Sequence, residues 1–187
     1  MGQRKKGNYT VTDNLGTLTI TKNSASVTLT APSDSKTYDG TALTADGTGE
    51  KKVTASGLPS GFTVEATASG SQTDAGESAN VVNDGYVIRN AAGEDKTASF
   101  TNVAKVDGKL TVNPKAVTIT TGSDSKPYDG TPLTKAEANI EGLVEGESVT
   151  LAATGTITEE GSTENTYSIT WDNARKATTQ SLTIWVL

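Results

Sequence analysis

The chain has 187 residues, of which 33% are hydrophobic and 5% aromatic, and a formal net charge of −6. Apolar residues this sparse predict thin cores in small units rather than one large domain, and the acidic balance argues against nucleic acid and anionic membranes as partners. With no cysteine and no histidine, the chain has no disulfides, no thiolate metal sites, no cysteine nucleophile, no imidazole base and no imidazole zinc ligand.

In chain order, Arg4, Lys5, Lys6 and Lys22 against Asp13 leave the first 23 residues at +3. The Arg4-Lys5-Lys6 run is too short for a nucleic-acid arm and reads as a tag or linker remnant. Met1-Gly2-Gln3-Arg4 leads straight into polar sequence, with no signal-peptide pattern. No apolar run approaches the roughly 18 residues that span a bilayer, so no membrane insertion is expected in this segment. Tyr9-Thr10-Val11 and Gly16-Thr17-Leu18-Thr19-Ile20 read as the closing strands of a truncated preceding repeat.

Val27-Thr28-Leu29-Thr30-Ala31 then alternates apolar and hydroxyl side chains. Successive strand residues face opposite sides of a sheet, so the pattern predicts a strand with one buried face. Lys36-Thr37-Tyr38-Asp39-Gly40-Thr41-Ala42-Leu43-Thr44 follows, and Asp46–Lys52 reads as a loop. Glycines 57, 61, 70 and 76 mark turns. Gly108-Lys109-Leu110-Thr111-Val112 is a terminal strand, and Asn113-Pro114 reads as a boundary.

The whole pattern then recurs. Val27 to Thr44 matches Val117 to Thr134, 90 positions on, including Lys126-Pro127-Tyr128-Asp129-Gly130. Gly57-Leu58 matches Gly142-Leu143, 85 positions on, and Gly70 and Gly76 match Gly155 and Gly161. The shorter offset assigns five extra residues to the Asp46–Lys52 loop of the first copy. Gly108–Val112 matches Gln180–Ile184. Helical periodicity is weak; Lys135 to Leu143 is the one candidate for a helical turn or two. The expected layout is residues 1–23 as linker plus closing strands, a module at 24–113 and a second at 114–187, end to end.

The Lys-x-Tyr-Asp-Gly-Thr-x-Leu-Thr block, with the closing Gly-x-Leu-Thr-Val-x-Pro at 108–114, resembles the YDG/MBG type of tandem repeat found in bacterial surface proteins and adhesins. The resemblance covers both copies. It implies an extracellular, cell-wall or cell-surface location, and neighbouring modules as partners. Ile184-Trp185-Val186-Leu187 departs from the pattern.

Lys36, Tyr38, Asp39 and Gly40, with Lys126, Tyr128, Asp129 and Gly130, look like a site because they recur. Asp-Gly is equally a turn dipeptide, and a lysine two residues before a tyrosine places both on one strand face, where its stem can cover the ring. Asp34, Asp39, Glu145/Glu147 and Glu159/Glu160 lack the dense loop that calcium requires and read as solvated surface. Lys115 or Lys126 with Asn165 or Asn173, and Thr178 with Gln180, are the residue types of autocatalytic crosslinks, but nothing pairs them. Trp171 and Trp185, without counterparts in the first copy, are the candidates for ligand contact.

The expected fold is all-β: a small sandwich per module, Ig-like in the broad sense, with a β-grasp-like module as the alternative. No catalytic residue, cofactor or metal is expected. The expected function is a structural stalk of a surface adhesin-like protein; the alternative is that the modules themselves bind host glycan or matrix protein.

Overall fold

A computed structural model of the chain describes residues 5–172. The architecture is all-β and sandwich-like, with several small sheets. Among the described residues the only helical element is a 3-10 turn at Thr97–Ser99.

Strands β1 (Lys5–Lys6) and β2 (Tyr9–Thr10) form an antiparallel hairpin around Gly7 at φ 66°. Residues 17–20 lie in no strand, and Leu18 and Ile20 are fully exposed. The two segments expected to be closing strands are therefore not paired with each other. Alternation marks an apolar face, but no sheet edge receives it here.

Strand β3 (Val27–Thr30) buries Val27 and Leu29 and leaves both threonines half-exposed, so the threonines take the wetter face. A break at Ala31-Pro32-Ser33 separates it from β4 (Asp34–Thr37). Strands β5 (Thr54–Ser56), β6 (Thr63–Glu65), β7 (Ala68–Ser69), β8 (Gly76–Val82) and β9 (Val87–Arg89) follow. Strands β10 (Val103–Val106) and β11 (Gly108–Asn113) are separated only by Asp107.

These last two strands run parallel to the first two. β10 pairs with β3, and β11 with β4. Both chain segments thus cross together from one sheet, β10-β3-β5, to another, β4-β11-β8-β7. Bent strands that switch sheets are a corner device of sandwiches. The crossing is tight: a Cβ on Gly108 would lie 2.1 Å from the Pro32 carbonyl oxygen. Only glycine permits that approach.

Two apolar clusters result. One joins Val27, Leu29, Val53, Val82, Ile88 and Phe100; the Phe62 ring meets Phe100 edge-on at 5.5 Å. The other joins Tyr38, Leu43, Ala45, Leu110 and Val112, with Val144 packed against it.

Beyond Asn113 lie β12 (Thr118–Thr121), β13 (Leu133–Thr134), β14 (Ala138–Glu141), β15 (Val149–Ala153), β16 (Thr156–Ile157) and β17 (Tyr167–Trp171). Their pairs are β12 with β14, β13 with β16 and β15 with β17. Residues 135–143, the helical candidate, hold β14 instead. Ala138 and Ile140 are the half-buried positions of an alternating strand, and the ladder to β12 decides the conformation over a weak local preference.

The registers of the second set repeat those of the first. Leu29 faces Ala55, and Ile119 faces Ile140. Leu43 bridges Gln72, and Leu133 faces Ile157. Val64 faces Ile88, and Val149 faces Trp171. Ala68 faces Val82, and Ala153 faces Tyr167. Trp171 therefore has a positional counterpart in Ile88, a core residue, contrary to the sequence reading. That equivalence is hidden because Asn83–Tyr86 breaks β8 from β9 where β17 runs on unbroken.

Candidate functional site

The Tyr-Asp-Gly block follows β4, where the chain turns back on itself. Lys36 Nζ donates to Asp39 Oδ1 at 2.6 Å and to the Thr41 carbonyl and hydroxyl oxygens, both at 2.7 Å. Asp39 Oδ1 also accepts from the Thr41 amide at 2.9 Å and the Thr41 hydroxyl at 2.8 Å. Gly40, at φ 81°, provides the reversal. The Lys36 ammonium thus closes the turn.

The second block is built alike. Lys126 Nζ donates to Asp129 Oδ1 at 2.8 Å and to the Thr131 hydroxyl at 2.5 Å. Asp129 Oδ1 accepts from the Thr131 amide at 2.9 Å, and Gly130 has φ 74°. The lysine hydrogen bond, with the threonine donors, holds the Asp39 and Asp129 carboxyls well below the usual carboxylate range.

The tyrosines do not match. Tyr38 is 8% exposed and Tyr128 is 60% exposed. The Tyr38 amide donates to the Asn113 carbonyl at 2.8 Å, so β11 fixes its backbone. Its hydroxyl donates to the Glu147 carboxylate, and Val144 packs against its cluster. Both cover residues belong to the β14–β15 loop, more than a hundred positions along the chain. The positions of residues 144 and 147 correspond to Pro59 and Phe62 in the first copy, so comparing the copies gives no hint of this contact.

A second recurring feature escaped the sequence reading. Asn80, fully buried on β8, donates through Nδ2 to the Pro32 carbonyl at 2.9 Å and the Ala45 carbonyl at 2.8 Å. Asn165 donates through Nδ2 to the Gly122 carbonyl at 2.8 Å and the Lys135 carbonyl at 2.9 Å. Each donor and acceptor matches its counterpart at the offsets of 85 and 90 already present in the sequence. Beside each asparagine lies a glycine whose Cβ would clash: Gly70 at 2.5 Å from the Ala79 carbonyl oxygen, Gly155 at 2.5 Å from the Asn165 Cα. Gly155 also donates its amide to Asn165 Oδ1 at 3.1 Å. The sequence signal was available: Asn80 and Asn165 keep the spacing of the paired glycines.

The other candidates are dispersed. Asn165 is engaged as this staple; Lys126 is held in its own turn; Lys115 Nζ reaches only the Leu143 carbonyl, at 3.5 Å. Neither Lys115 nor Lys126 therefore meets Asn165. Asn173, Thr178, Gln180 and Trp185 lie outside the described residues, and Trp171 is half-buried. Asp34 pairs with Lys51, a surface ion pair that contributes little. Among the described residues no three acidic side chains converge on one point, and no helix is long and apolar enough to cross a membrane. No protein-family model matches the chain, nor does any curated protein or solved structure.

Proposed function

We propose that the chain consists of structural spacer units, residues 24–113 and 114–187, each Ig-like in the broad sense and arranged end to end. They form part of the stalk of a secreted or surface-attached adhesin-like protein. One observation carries this reading. What recurs between the copies is scaffolding: the strand registers, the Lys-Asp-Thr turn, and the buried asparagine that ties two loops together. A binding module repeated for its ligand would instead repeat a concave or aromatic surface. The resemblance of the Tyr-Asp-Gly block to surface-protein repeats supports the extracellular setting.

The test is a screen of the chain against glycans and extracellular-matrix proteins. The expected result is no saturable binding. Saturable binding that is lost on substituting exposed residues of either unit would replace the spacer reading with the ligand-binding one.

A further inference from the structure

The buried Tyr38 and exposed Tyr128 differ in their surroundings although their turns are built alike. Tyr38 has two kinds of cover. Leu110 and Val112 come from its own closing strand β11, and Val144 and Glu147 come from the β14–β15 loop of the next unit. The loop supplies an apolar contact and, three residues later, a carboxylate for the hydroxyl. A Cβ on Gly40 would stand 3.2 Å from Val144 Cγ1, so the glycine of the block also leaves room for the loop.

We propose that the Tyr-Asp-Gly block is the receptor for the β14–β15 loop of the succeeding unit, and that this contact orients one unit on the next. The receptor is selective. A fitting loop carries an apolar residue and an acid three positions on, as Val144 and Glu147 do. The loop of the first unit has Pro59 and Phe62 there, and the Phe62 ring is committed to Phe100 in its own core. A unit with that loop cannot follow a Tyr-Asp-Gly block through this joint, so the loop sequence sets which units stand next to each other. The inference extends the spacer reading, and it can fail while that reading survives, because units joined flexibly would still form a spacer.

Nitration of tyrosine rings in the full chain, mapped by peptide mass, tests it. Tyr38 should react several-fold more slowly than Tyr128 in the parent chain. The pair Val144→Ser with Glu147→Ala should raise the Tyr38 rate several-fold. Val144→Pro with Glu147→Phe, which installs the first unit's residues, should do the same. Leu151→Ala, in the same unit but on strand β15 rather than in the loop, should leave Tyr38 protected. Equal rates in the parent chain would overturn the proposal. So would protection that persists in both loop variants, or protection lost equally in Leu151→Ala.

Discussion

Residues 24–113 and 114–172 share a strand pattern and ladder registers, but they differ in burial. Every fully buried side chain among the described residues lies between Val27 and Val112. In the second stretch the positions corresponding to Leu29 and Val82, Ile119 and Tyr167, are only half-buried. In the first stretch β11 inserts between β4 and β8 and covers the cluster around Leu110 and Val112. Its sequence counterpart, residues 180–184, lies outside the described residues. The residues matching β4, 124–127, form no strand. Alternation therefore sets up an inner face in both stretches, and in the first a late, distant strand completes the core.

The largest expected effect is at that strand. Leu110→Ala should destabilise the fold of residues 24–113 by about 3 kcal/mol, the cost of emptying a fully buried leucine site, as read by urea denaturation. Leu151→Ala, at a half-buried site, should cost about 1 kcal/mol. Equal losses would show that the difference in burial between the two sites carries no energetic weight.

The asparagine staples come next. Asn80→Ala leaves the Pro32 and Ala45 carbonyls without their donor in a buried site and should cost about 2 kcal/mol. Asn165→Ala, in a more open site, should cost about 1 kcal/mol. If Asn80→Leu, which removes the polar group without restoring either bond, matches the parent chain in thermal denaturation, the staple contributes no stability.

The turn glycines sharpen the comparison. Gly130→Val should cost about 1 kcal/mol from a side chain forced to positive φ. Gly40→Val should cost about 2 kcal/mol, because the same strain is joined by a tight 3.2 Å approach to Val144, whereas a Cβ at Gly130 meets nothing within 4 Å. Identical melting shifts would mean that the 144–147 loop does not press on the first block.

The smallest effect is acid sensitivity. The Asp39 and Asp129 carboxyls are held below their ordinary value of 3.8 in the folded chain. The unfolded chain therefore binds more protons once pH drops past that value. The stabilisation is complete above pH 3.8 and is lost as pH falls through the folded values. Asp39→Asn and Asp129→Asn should each flatten this decline, and by similar amounts because the two turns are alike. The carboxylates are solvent-exposed, which makes the effect small. A decline that is as steep in the double variant would assign the acid sensitivity to other groups.

Short-range chemistry was legible in the sequence. The apolar alternation of Val27 to Ala31 and of Leu110 to Val112 specifies strands and their inner faces, because side-chain direction in a strand has a period of two. Asp39-Gly40 and Asp129-Gly130 specify turns, because the carboxylate and the permissive glycine act within two residues. The repeat offsets anticipated which residues occupy matching rungs, since insertions fall in loops and leave ladders in register. Lys135 to Leu143 was misread because a short segment is decided by the strand beside it.

Tertiary structure alone decided which strand lies beside which. Nothing local to β3 and β4 requires parallel partners from residues 103–113, or requires Gly108 to pass beneath the Pro32 carbonyl. Nothing local to Tyr38 indicates that its hydroxyl meets Glu147, or that Asn80 holds two loops together. Those contacts join residues tens of positions apart, and they form only where the backbone has already brought the two surfaces together. A sequence pattern states that a face is apolar or that a group needs a partner; the closed three-dimensional arrangement selects the partner.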